Sequence, residues 1–349
     1  MTRLWSFVCV VIIILALVET AVAGSPWVLP EDTTVLQLDF RSEFAGSEFL
    51  LDGENQDFPL NGEFSAQTLG MNLRRGFGKG LEVSLGLAYK AVSFNLDPVS
   101  IVGPVVDPAT SEIVDGQLVP TFALNKQEEG LGDIFASVRY NIYKGPVVVT
   151  PELEVKIPGG YDAPKGTFEG DDPGLVPDPD REGAFVERRQ GEVVVNDDVA
   201  LGDGQVDLKL SLLLGTFIGK TRTFARLGGG VNFRFAGPAP QVVGDFKIGQ
   251  LVGKHLIFYV ATQGVFTLGE GEVIGKSFTT ADPTESGSAF SIDKISIVDL
   301  RLDKEFVDFS GGGIFKSGPY ELILSGGKIL RGKNIAETTF VSFSTSYRY

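Results

Sequence analysis

Strict alternation of apolar and polar residues over stretches of about ten residues constrains this chain more than any other feature. Val149, Pro151, Leu153, Val155 and Ile157 fall on one side of an extended backbone, and Thr150, Glu152, Glu154 and Lys156 on the other. Successive side chains of a strand point to opposite faces, so such a segment gives one face to an apolar medium and the other to a polar one. Leu208, Leu210, Leu212 and Leu214 alternate in the same way with Asp207, Lys209 and Ser211, as do Leu81, Val83, Leu85 and Leu87 with Glu82 and Ser84. Clusters of Gly, Pro and Asp end each stretch. The pattern predicts about twelve strands, within a range of ten to fourteen. Their cores are placed at 33–42, 64–75, 81–94, 131–143, 147–157, 204–217, 223–236, 242–251, 255–268, 290–304, 319–330 and 337–349.

The connections alternate in length. Gly76–Gly80, Tyr143–Pro146, Gly219–Thr223 and Val252–Lys254 are short, whereas those at about 43–63, 95–130, 158–203 and 269–289 are long. Short turns at one rim and long loops at the other are the pattern of a transmembrane, antiparallel, up-and-down barrel of the outer membrane. Charge follows the same division. The connection 43–63 carries six acids and no base, while the short turns carry Lys79, Lys144, Lys220, Arg222 and Lys254 and no acid. A formal charge of −15, from 45 acids and 30 bases, speaks against a nucleic-acid partner.

Arg3, the apolar run from Phe7 to Val18 and the small residues Ala21-Val22-Ala23 read as a secretory signal peptide over 1–23, followed by one barrel over 24–349. The run is short for a membrane-spanning helix. The only Cys, Cys9, falls in the signal segment, so the mature chain uses no disulfide. At the other end, Val341, Phe343, Tyr347 and Tyr349 alternate with Ser342, Ser344, Ser346 and Arg348. A closing strand that ends on an aromatic residue suits an assembly signal, with Phe343, Tyr347 and Tyr349 on the lipid face. An unsealed edge in lipid would leave backbone groups without partners.

Residues 130–160, with Gly130-Leu131-Gly132-Asp133 opening one strand and Lys156-Ile157-Pro158-Gly159-Gly160 closing the next, resemble the bacterial outer-membrane family associated with the meta-pathway of phenol degradation. LGDGQVDLKLSLLLG at 201–215 is similar to that family's following strand. The resemblance is specific over 130–235. It implies a porin-like or transporter-like barrel for hydrophobic or aromatic compounds, and no catalytic residues.

Strand parity assigns Asp133, Arg139, Glu152, Glu154, Lys156, Asp207, Lys209, Arg226, Arg234 and Asp245 to the lumen, together with Asp39, Arg41, Arg74, Glu82, Lys90, Lys247, Asp299 and Arg301. Near-balance of sign predicts cross-strand ion pairs. The pairs Gly132-Asp133, Gly202-Asp203 and Gly244-Asp245 are expected at the outer rim, each Asp partnered from a neighbouring strand. His255, the single histidine, falls beside a short turn, away from the outer face, and reads as a solvated turn residue rather than a catalytic one. No cofactor and no metal site is expected, since one His and one Cys cannot build a zinc centre. The function predicted is passive uptake of small molecules, hydrophobic or aromatic ones among them, by a non-enzymatic channel. The loop around 163–198 is expected to control access to the lumen. The alternative is a filled structural or surface-interaction barrel without transport. The expected partners are outer-membrane lipid, the machinery that inserts barrels, and a small apolar solute.

Overall fold

The structure is a computed structural model that describes residues 25–58, 61–95, 100–106, 113–118, 126–161, 175–177, 185–187, 200–235, 237–273, 275–280, 289–291 and 295–349. The predicted signal segment 1–23 lies outside the described residues, as does most of the connection 158–203. Twelve strands build the barrel. They are β1 (Thr34–Ala45), β2 (Glu63–Gly78), β3 (Leu81–Asn95), β4 (Lys126–Tyr140), β5 (Val147–Ile157), β6 (Val206–Ile218), β7 (Thr223–Phe235), β8 (Gln241–Val252), β9 (Leu256–Thr267), β10 (Glu305–Ser317), β11 (Tyr320–Lys333) and β12 (Thr339–Arg348). Each pairs antiparallel with its neighbours in the chain, and β12 pairs with β1 to close the ring. At the seam Tyr349 N donates to Thr34 O at 2.9 Å and Thr34 N to Tyr349 O at 2.8 Å. No edge remains between these strands, which is the condition for a sheet to sit in hydrocarbon.

The alternation read from sequence sets the two faces. Leu85, Leu153, Leu210, Leu227, Phe258, Val260, Phe309, Leu324 and Val341 point outward and are exposed. Asp39, Glu82, Arg139, Thr150, Glu152, Asp207, Arg226 and Ser344 point inward and are buried. Exposed leucines outside buried charges invert a soluble protein and match a lipid-facing belt. Phe77, Tyr140, Tyr143, Phe217, Phe315, Tyr320, Tyr347 and Tyr349 gather at the short-turn end, forming an interfacial girdle. Tyr347 stacks on Tyr349 at 5.9 Å and packs against Tyr320 at 5.0 Å, so the terminal aromatics join the girdle directly. The short-turn end is called the inner end below.

Five inner connections are short, including Pro319 between β10 and β11, and the start of β1 and the end of β12 lie at the same rim. Lys79, between Gly78 and Gly80, and Arg222 adopt left-handed backbone in two of these turns (φ 48° and 57°). The outer connections depart from expectation in two respects. Those after β7 (236–240) and β11 (334–338) are short. The long ones carry strands of their own, such as Gly275–Thr280 paired with Ile295–Leu300 and Ser47–Phe49 paired with Asn55–Asp57 and Ile335–Ala336.

One expected barrel strand is misplaced. Residues 290–304 do not cross the membrane. Part of them, Ile295–Leu300, forms an outer hairpin, and the wall strand is β10. The expected loop 269–289 therefore extends to 304. FSIDKISIVDLRL mixes apolar and polar residues as a wall strand does, while β10 contains Gly311-Gly312-Gly313, which interrupts its own alternation. Asp299 consequently stands in register with Lys276 in that hairpin rather than in the wall, and Arg301 lies in the segment leading into β10.

Candidate functional site

Inward side chains of β2 to β8 meet in ion pairs. Arg139 of β4 is 1% exposed, 2.5 Å from Glu152 of β5 and 3.3 Å from Glu82 of β3, while Arg74 of β2 reaches Glu82 at 2.8 Å. Glu82 stands opposite Arg139 and Arg139 opposite Glu152, and Arg74, registered to Ser84, reaches Glu82 diagonally. Lys209 of β6 pairs with Glu154 at 2.5 Å. Lys156 lies 2.9 Å from Asp207, and Arg226 of β7 binds Asp245 of β8. The ten charged lumen candidates on β4 to β8 thus face inward, and nine of them pair across neighbouring strands. The tenth, Asp133, takes the hydroxyl of Tyr161 instead of a base.

Of the three Gly-Asp pairs, Gly132-Asp133 sits at a bulge where β4 slips against Leu87 and Tyr89 of β3. Asp203 lies just before β6, in reach of Lys156 at 2.5 Å and Arg234 at 2.7 Å. Asp245 lies within β8 and opposes Gly228, not at the rim. Burial alone would raise the Asp203 carboxyl, but Lys156, Lys304 and Arg234 hold it well below the usual carboxylate range. Tyr161 is pushed in the other direction, above its ordinary value, by burial and by Asp133.

The wall from β9 to β12 is built differently. Several of its inward positions are small, Ala261, Ser310, Gly312, Ser325, Gly327, Ser342 and Ser344, beside the larger Tyr259, Val265, Phe306, Ile329 and Phe340. Ser325 and Ser342 bond to each other across the register. A Cβ on Gly312 would meet Leu324 O at 2.4 Å and one on Gly327 would meet Phe309 O at 2.6 Å, so both positions require glycine for the strands to approach. Long charged chains brace β2 to β8, and ion pairs give way on β9 to β12 to small and apolar inward residues. A cavity of about 830 Å³ fills the difference. Polar residues such as Asp133, Lys156, Lys209 and Asp245 line it, together with Phe64, Ala66, Val92, Leu201, Val265, Phe306 and Ile329 toward the outer end.

The segment before β1 was not singled out in the sequence. It runs inside the inner end of the barrel. Leu29 N donates to Glu82 Oε2 at 2.8 Å, and Thr150 Oγ1 and Asn141 Nδ2 donate to Pro26 O at 2.6 and 2.9 Å. Gly215 of β6 leaves room for Pro26 and Trp27, and Gly76 of β2 for the carbonyls of Leu29 and Pro30. Trp27 meets Phe224 of β7 edge-on at 6.3 Å. Residues 25–33 therefore touch β2, β3, β5, β6 and β7 in ring order and narrow the inner mouth. The signal available was Pro26, Trp27 and Pro30 flanking Leu29 in a stretch too rich in proline to be a strand. His255 stands in the inner turn, as its position implied, with Nδ1 2.7 Å from Lys316 O.

No family model matches the chain, and no curated relative does. Among solved structures, an outer-membrane channel from Pseudomonas putida F1 is similar with a TM-score of 0.58 at 9% identity, over 95% of this chain and 100% of that one. The KdgM porin follows with a TM-score of 0.41 at 8% identity, over 89% and 98% of the two chains. The CymD monoaromatic hydrocarbon channel has a TM-score of 0.40 at 9% identity, over 92% and 89%. The last two likenesses are too distant to carry an argument. The first shows the fold, an outer-membrane type β-barrel.

Proposed function

We propose that this protein is an outer-membrane channel for passive uptake of small molecules, hydrophobic or aromatic ones among them, and that it is not an enzyme. The observation that carries this reading is the cavity of about 830 Å³ inside a closed barrel, walled by polar and apolar side chains together. A barrel that served only as a scaffold would be expected to fill its interior, as eight-stranded barrels do. The apolar outer part of the lumen suits a partly hydrophobic solute, and the ion-paired wall below supplies a polar path. The resemblance of residues 130–235 to the phenol meta-pathway family supports an aromatic solute. The loop around 163–198, whose residues lie largely outside those described, is proposed to govern the outer opening.

A second reading, a filled structural barrel, is favoured by one observation: residues 25–33 occupy the inner mouth. Permeability of liposomes carrying the purified, folded protein separates the two. The channel reading expects small anionic aromatic solutes to cross faster than in protein-free liposomes. Equal rates with and without protein favour the filled barrel.

A further inference from the structure

Lys304 lies just before β10 and lines the cavity. Its backbone is held firmly. Gln241 Nε2 and Thr267 Oγ1 each donate to Lys304 O at 3.2 Å, and Arg234 Nη1 donates to Leu302 O at 3.1 Å. Asn334 Nδ2 donates to the carbonyls of Arg301 and Asp303 at 2.7 and 2.8 Å. Three strands and the turn between β11 and β12 thus fix a short segment at the outer end of the lumen. Nothing in those bonds uses the Lys304 ammonium, which has no hydrogen bond or ion pair among the described residues.

The carboxylates around it are engaged by other groups. Asp207 takes Lys156 at 2.9 Å, and Asp133 takes the hydroxyl of Tyr161. Asp203 is already engaged: Oδ1 receives Lys156 at 2.5 Å and Gln205 N at 3.3 Å, and Oδ2 receives Arg234 at 2.7 Å. Apolar residues line the outer lumen beside these charges. Val265 and Phe306 are registered partners on β9 and β10, and Leu302 and Ile329 line the same part of the cavity. Across the ring, Ala66, Val92 and Leu201 form a second apolar wall against Phe64 and Tyr161.

We propose that Lys304 is the docking cation of a binding site in the outer lumen that takes a small carboxylate with an apolar body, a proposal that rests on the channel reading and names its solute class. The carboxylate supplies the missing counter-charge, and the apolar body covers Val265, Phe306 and Ile329. Burial, with Lys156, Arg234 and Lys90 adding to it, depresses the Lys304 ammonium below its ordinary range despite Asp203. An apolar wall with one placed charge is the usual composition of a small-molecule site.

The test is calorimetric titration of the folded, detergent-solubilised protein with benzoate and with benzyl alcohol, its neutral counterpart, using wild type, Lys304→Gln and Lys304→Arg. A charged hydrogen bond of ordinary strength predicts that wild type binds benzoate about tenfold more tightly than the alcohol. Lys304→Gln should lose that preference with alcohol binding unchanged, and Lys304→Arg should keep most of it. Equal affinity of wild type for the two ligands overturns the proposal without any variant. Retained preference in Lys304→Gln overturns it as well. Liposome permeability keeps the two readings apart. A conducting barrel with no benzoate preference refutes the docking site alone. A preference that depends on Lys304 in a non-conducting barrel supports the site and refutes the channel.

Discussion

Arg139 is 1% exposed and holds two carboxylates, Glu82 and Glu152, on either side. Glu82 keeps Arg74 and Leu29 N when Arg139 is removed, but Glu152 keeps no base. Replacing Arg139 with alanine should therefore destabilise the barrel by about 3–5 kcal/mol, the cost of an abandoned buried charge. A combined Arg139→Met and Glu152→Gln change should cost less than Arg139→Ala. Urea titration of the bilayer-folded protein measures both. Asp203 gives a prediction with a pH sign. Its folded carboxyl is depressed, so its stabilisation is present above the unfolded value of about 3.9 and fades as pH falls through the lower folded value. Asp203→Asn should lower the unfolding temperature at pH 7, and the gap to wild type should close only in strongly acidic buffer. A gap that is constant with pH would contradict the assignment. These residues were legible because strand parity alone fixes which side chains face inward. Their individual partners were not, since partners depend on register between strands: Arg139 lies six residues along its strand from Asp133, and its true partners stand beside it on β3 and β5.

At the scale of elements, alternation identified eleven of the twelve wall strands and missed β10, whose Gly311-Gly312-Gly313 has no side chains to alternate. An outer hairpin strand that mixes apolar and polar residues took its place. Pattern reports that two faces differ, not which medium each face meets. The inner segment 25–33 escaped for another reason: it has no period, and its burial comes from Glu82, Thr150 and Gly215 on distant strands. The last strand carries a direct prediction. Tyr349 exchanges both backbone hydrogen bonds with Thr34, and Tyr347 links the girdle to Tyr320. Deleting Tyr349, or changing Tyr347 and Tyr349 to Asp, should sharply lower the amount of heat-modifiable protein in the outer membrane. The barrel's seam would lose a closing pair where backbone groups have no water to turn to. Wild-type levels in either variant would contradict a role of the terminal aromatics in closure.

The whole molecule is a ring whose interior is divided by side-chain size. Long charged residues brace β2 to β8, small and apolar residues line β9 to β12, and the space between is the cavity. The barrel itself was legible because short and long connections alternate and an apolar belt must face something other than water. The cavity was not, because its volume depends on which strands lie opposite and on Gly312 and Gly327 permitting close approach. Shortening the loop at 166–195 with a Gly-Ser bridge should leave assembly intact, since loop-closure cost changes slowly with length. It should also raise permeability if the loop governs the outer opening. The central claim, that the lumen is a conduit narrowed at its inner mouth by residues 25–33, is tested most directly by conductance in planar bilayers. Wild type is to be compared with a form in which Gly24 is joined to Asp32. The account predicts a measurable wild-type conductance and a severalfold larger one in the shortened, fully folded form. Two equally silent barrels would contradict it.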